Sequence, residues 1–282
     1  MGIVRVTAHP SRYADEDWTD ENVNPVEQLS VGKFHLHFNV VKRKSSTQRE
    51  LAYVVALATG ARPVYQRSKQ YYQVGDWTVV DNMDFFSVGT GLFDIDECEQ
   101  NLRALEALNG EGYAPDEEIT ICFTPDVYDM KLVLNLCNIM EARNGLIVQA
   151  LGLDEEIRII VDNDLAFGIP LSAFSLEKIE ACIYLLRQAS LMAASTGKAR
   201  MKPCDGSNPK YQMRTWLLRL GFIGDAFARP RQTLLGGLDG DSAFFKDEDK
   251  EKAAMKRKAK RMADAGVSVS VTGKAASSTI AI

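Results

Sequence analysis

His35 and His37 stand one residue apart in the stretch FHLHFNV, and on an extended strand residues i and i+2 share a face. Two imidazoles on one face make half of a tetrahedral metal site. The remaining histidine, His9, lies in an irregular acidic arm, so the expectation is a pair of sheet-face histidines and no metal. Ser195-Thr-Gly-Lys198 matches the end of a phosphate-binding loop, but the leading glycine is missing and a helical pattern, not a strand, precedes it. DIDECE, residues 94–99, opens like a calcium loop, yet Glu99 occupies the position that requires glycine, and a helix start explains it better. Asp81 with Asp84, and Asp162 with Asp164, offer paired carboxylates for acid–base work, but both pairs flank an Asp-Asn step that favours a turn. Cys98, Cys122, Cys137, Cys182 and Cys204 have no CxxC spacing and read as reduced thiols, mostly within apolar segments. No catalytic residue, metal or cofactor is assigned, and the expectation is a binding protein. An enzyme with an unrecognised acidic site is the third reading.

The charge distribution narrows the partner. The net charge of −5 divides into −13 for residues 1–197 and +8 for residues 198–282. The basic end contains Lys198, Arg200, Lys202, Lys210, Arg214, Arg219, Arg229 and Arg231. Two classes of partner follow. Nucleic acid would take its phosphates to this basic set, or lie on the sheet face carrying His35, His37 and Asn39. A host or element-encoded protein with a basic surface would instead suit the acidic body, as the target of a counter-defence factor. Oligomeric state is open. The start of the sequence has no apolar run of signal-peptide type, and no window approaches the roughly 18 apolar residues of a membrane span, so a cytoplasmic protein without membrane contact is expected.

Within YQMRTWLLRLGFIGDAF, residues 211–227, Met213, Trp216, Leu217 and Leu220 form one helical stripe. Arg214 and Arg219 lie roughly 140° apart, one on each shoulder of that stripe. This is the pattern of a helix docked on a body, with Gly221 and Gly224 ending it.

The elements that position these residues repeat. FHLHFNV (34–40) and ITICFTP (119–125) alternate alike, and the same offset carries Leu51, Val54, Val55 and Gly60 onto Leu136, Ile139, Met140 and Gly145. These apolar positions have the i, i+3, i+4 spacing of one helical face, with the glycines at expected C-caps. Further on, TVVDN (78–82) matches IIVDN (159–163), and Phe86, Val88 and Phe93 match Phe167, Ile169 and Phe174. Asp94 and Ser175 are N-cap candidates for two further helices, each preceded by a phenylalanine able to staple onto Cys98 or Ile179. The expected fold is α+β: tandem duplicated β-α-β-β-β-(β)-α modules forming a pseudo-symmetric antiparallel sheet of eight to ten strands, with helices on one face and a basic helical C-terminal extension. The boundaries are an irregular acidic arm at 1–30, repeats at 31–112 and 113–197, a basic docking segment at 198–245, and a charged, solvent-exposed helix with a disordered tail at 246–282.

That element order, over about residues 34–190, resembles the TATA-binding-protein fold in topology. The resemblance implies a saddle with a concave sheet, which in that family inserts phenylalanines into a bent minor groove and reads it with asparagines. The corresponding outward positions here are His35, His37, Asn39, Thr120, Cys122 and Thr124, and the body is acidic, so the resemblance carries fold and not DNA chemistry. The segments ELAYVVALATGARPVYQRSKQYYQVGDWTVVDN, KYQMRTWLLRLGFIGDAFARPRQTLLGGLDGDSAF and KDEDKEKAAMKRKAKRMAD resemble an uncharacterised family of bacterial mobile elements and prophages, labelled "virulence-related protein". This second resemblance implies a mobile-element setting and no site residues.

Overall fold

Strict alternation builds the first strand. In β1 (Gly32–Val41) Phe34, Leu36, Phe38 and Val40 are buried, while Lys33, His35, His37 and Asn39 point to the other face. The computed structural model describes residues 32–125, 129–161, 165–170, 175–200, 207–244 and 247–264. Outside them lie the acidic arm with His9, the pair Asp162 and Asp164, and Phe174, Lys202, Cys204 and the final tail.

After β1 come α1 (Gln48–Thr59), β2 (Pro63–Gln66), β3 (Tyr71–Val74), β4 (Trp77–Asp81), β5 (Phe85–Gly89) and α2 (Cys98–Gly110). The second half contains β6 (Glu118–Pro125), α3 (Met130–Glu141), α4 (Asn144–Leu151), β7 (Arg158–Val161), β8 (Leu165–Pro170) and α5 (Leu176–Ser195). The C-terminal region adds α6 (Pro209–Arg219), α7 (Ala228–Gly236) and α8 (Asp247–Asp264). All eight strands form one antiparallel sheet in the order β2-β3-β4-β5-β1-β6-β8-β7. The fold is α+β, as expected.

Local signals account for the helix ends. Thr47 caps α1 in a reciprocal box with Glu50, and Gly60 closes it at φ 70°, a left-handed conformation that glycine adopts without strain. Asp94 and Glu97 form the same box ahead of a 3-10 turn that leads into α2, which fixes DIDECE as a helix start. Ser175 caps α5. At the end of α6 the Gly221 N–H donates to the Leu218 carbonyl and the Phe222 N–H to Leu217, the two-bond glycine stop, with Gly221 at φ 83°.

The helices cover one face of the sheet. At the central seam Phe34 on β1 stacks beside Phe123 on β6, with ring centroids 5.3 Å apart, and beside Phe93 at 6.3 Å. Ile119, Ile121, Leu165, Phe167, Val79, Phe86 and Val88 extend that floor, and α1, α2, α3 and α5 bury Leu51, Leu105, Leu136 and Ile183 on it. Two buried asparagines tie loops to this layer. Asn135 donates to the carbonyls of Ala193 (3.1 Å) and Thr196 (2.8 Å) and accepts from the Ala199 N–H (2.8 Å). Asn144 makes a two-way bond with the backbone of Ile157, 3.1 Å in each direction.

The halves are unequal, against the expectation of two matched modules. β6, β8 and β7 hold places that mirror β1, β5 and β4, but the β2–β3 hairpin has no counterpart, and α4 occupies that part of the second half. Gly145, expected as a C-cap, sits inside α4, because α3 stops at Glu141 and the chain re-enters a helix almost at once. Shared strand order over three strands does not by itself establish a duplication. The C-terminal segment joins the helical side: α7 packs on α5 and α4, and α6 on α7. Met213, Trp216, Leu217 and Leu220 are the buried stripe of this segment, joined by Phe222, Leu234 and Leu238.

Candidate functional site

Because every second residue of the central strands is committed to the core, the other face presents the alternate side chains of β5, β1, β6 and β8, with His37 exposed and its neighbours half-buried. The register fixes its neighbours: His35 lies opposite Cys122, and His37 lies between Thr120 on β6 and Gly89 on β5. Asn39 lies opposite Ser87. The His37 Nε2 and Ser87 Oγ are 2.7 Å apart, a hydrogen bond whose direction depends on the imidazole tautomer. Loss of solvation, and secondarily the neighbouring His35, lower the pKa of His37, which favours the neutral ring. The Asn39 Oδ1 and Thr124 Oγ1 on the same face are shielded from solvent without a hydrogen-bond partner. On the other side of His37, Glu118 accepts from the Arg158 Nε at 3.0 Å. The Glu118 carboxylate lies over Gly168, where a Cβ would come within 2.8 Å of its Oε1. No group of three or more histidine, cysteine or acidic side chains is placed to hold a metal ion among the described residues.

The other sequence candidates resolve into local roles. Asp81 pairs with Lys42, whose ammonium also donates to the backbone of Asn82 and Met83, so the Asp-Asn step is a pinned turn and not a carboxylate pair. Ser195 and Thr196 direct their hydroxyls to the Met192 carbonyl at the end of α5, which presents carbonyls where a phosphate needs N–H donors. The Cys98 and Cys182 thiols are pushed up to about 12 and Cys137 to about 11, in each case chiefly by burial, which leaves them protonated and unreactive.

Two described members of the basic set are engaged within the docked segment. Arg229 pairs with Glu180 at 3.6 Å, and Arg231 donates to the Phe222 carbonyl at 2.8 Å, so both brace the docked segment. Arg229 and Lys178 line an open cleft of about 650 Å3 between α4, α5 and α7, with Glu177 on its wall. Lys198 and Arg200 flank Ala199, which Asn135 holds at the end of α5. Lys210 starts α6, and Arg214 and Arg219 are exposed on its two shoulders. These residues belong to the helical side, and His35, His37 and Asn39 to the opposite face of the sheet.

Cationic density is highest where the sequence reading placed only a solvated helix. Between Lys252 and Arg261, α8 carries Lys252, Lys256, Arg257, Lys258, Lys260 and Arg261, with no acidic residue among them. All six are exposed. The last five have no ion-pair partner among the described residues, whereas Lys250, one turn earlier, pairs with Asp241 at 2.9 Å. The charge run itself was the legible signal for α8. Ser87 had none, because its place beside Asn39 follows only from the β1–β5 register.

No family model matches the chain, and no curated protein matches it. Among solved structures, the crystal structure of the complex between Prokaryotic Ubiquitin-like Protein Pup and its ligase PafA is similar at 8% identity and a TM-score of 0.29. The match covers 72% of this chain and about half, 51%, of that chain. Likeness at that level carries no argument about fold or activity.

Proposed function

We propose that the protein binds nucleic acid, with α8 as the element that contacts phosphates. One observation carries the reading: six exposed cations without an intervening acid between Lys252 and Arg261 of a helix. At 1.5 Å per residue those ten positions span about 15 Å, or one cation per roughly 2.5 Å, comparable with one phosphate charge per roughly 1.7 Å of duplex axis. The acidic body, net −13 over residues 1–197, repels the same polyanion and leaves α8 as the favourable approach. The bacterial mobile-element setting implied by the sequence resemblance belongs to the same proposal. No helix among the described residues is long and apolar enough to cross a membrane.

Fluorescence anisotropy with labelled duplex and single-stranded DNA tests this. Affinity for duplex should fall with salt at a log–log slope of about −5 if all six cations meet phosphates. No binding at low ionic strength would refute the reading. Equal binding to anionic vesicles but not to DNA would transfer α8 to a membrane surface and also refute it. A stable protein captured from host cells with no DNA affinity would favour the protein-binding reading instead.

A further inference from the structure

We infer that Ser87, His37 and Asn39 form an acyl-transfer site on the outward face of the sheet, directed at activated carbonyl compounds such as esters or thioesters. Three roles are present on adjacent strands. Ser87 is the nucleophile, its Oγ 2.7 Å from the His37 Nε2. His37 is the base, on a strand rigidly paired on both sides. Asn39 lies directly opposite Ser87 in the β1–β5 register, and of its amide the Oδ1 is shielded from solvent without a partner, which leaves the Nδ2–H as the donor the proposal assigns to a developing oxyanion. Gly89 lies beside the His37 ring, where a Cβ would crowd the Thr78 Oγ1 at 3.2 Å.

The step balances without metal or redox partner. The Ser87 Oγ attacks the carbonyl carbon while its proton passes to the His37 Nε2, giving a tetrahedral oxyanion that the Asn39 Nδ2–H faces. Collapse breaks the bond to the alcohol or thiol, which leaves with the proton held by His37, and Ser87 carries the acyl group as an ester. Water then attacks that ester with His37 again accepting the proton, which releases the carboxylic acid and restores Ser87. The lowered pKa of His37 is consistent with a ring that is free to accept a proton at neutral pH.

The probe is a fluorophosphonate, which phosphonylates activated serines, followed by peptide mass spectrometry of the full chain. Ser87 should be modified in the native protein and not after denaturation, and Ser87→Ala should abolish the signal. His37→Gln should slow modification by at least about 100-fold, and Asn39→Ala by about 100-fold. Both variants should remain folded and retain the wild-type DNA affinity, which keeps this test separate from that of α8. The proposal is overturned if native Ser87 is unmodified, or if folded His37→Gln is labelled as fast as wild type.

Discussion

The two halves of the sheet meet as equals at the β1–β6 seam and are completed differently at their outer ends. On the first half the chain spends the stretch after α1 on the β2–β3 hairpin, so the sheet widens to five strands and α1 packs on β3, β4 and α2. The outward side of α1 stays uncovered, with Leu57 86% exposed and Tyr53 46%. On the second half the same stretch becomes α4, the sheet stops at three strands, and the layer is finished from outside by α6 and α7. Apolar surface of α4 and α5 is thus covered by a distant segment, which makes the second half dependent on residues 209–238. Among the described residues the first half has no such cover.

The largest effect should come from breaking that cover. Trp216→Ala removes a 6% exposed ring that also lies over the Arg143 guanidinium, and should cost about 3–5 kcal/mol in denaturant unfolding. A loss below about 1 kcal/mol would mean that α6 is peripheral. Asn135→Ala comes next. It leaves the Ala199 N–H and the Ala193 and Thr196 carbonyls without their partner, at a cost of roughly 2–3 kcal/mol by the same measurement. On the first half, Leu57→Ala should change stability by less than about 0.5 kcal/mol, and a larger loss would show that α1 has a hidden partner.

The smallest effect concerns His37. Its pKa in the folded chain is lowered, so the unfolded chain takes up a proton first, and the stability due to this group is present above pH 6.5 and lost as pH falls below it. The stability difference between wild type and His37→Gln should therefore shift against wild type between pH 7.5 and pH 5.5. A shift in the opposite direction would mean that the ring gains a proton-stabilising partner.

What could be read from sequence follows from which patterns are local. Alternation in FHLHFNV and ITICFTP gives β1 and β6 and their outward residues, and the stripe from Met213 to Leu220 gives α6. Turn chemistry gives the Asp81–Asn82 bend, and the capping box gives the start of the 3-10 turn before α2. The missing second hairpin was not legible. NGLIVQAL is apolar enough for a buried strand or a buried helix, and the choice is made by Asn144 bonding to Ile157 across the following loop. The contact between His37 and Ser87 was likewise invisible, because pairing register is set by the whole sheet and not by either strand. The basic residues were counted correctly as a charge excess, but Arg229 and Arg231 are consumed in bracing α7, and only the structure separates braces from free cations.

On the proposal made above, nucleic-acid contact belongs to α8 and is separable from the folded body. Replacing Lys256, Arg257, Lys258, Lys260 and Arg261 together by glutamine in the full chain, then repeating the salt titration with duplex DNA, tests it most directly. The melting temperature should be unchanged and the salt slope reduced by about 4 to 5, with affinity nearly lost. An unchanged slope and affinity in the folded variant would contradict it.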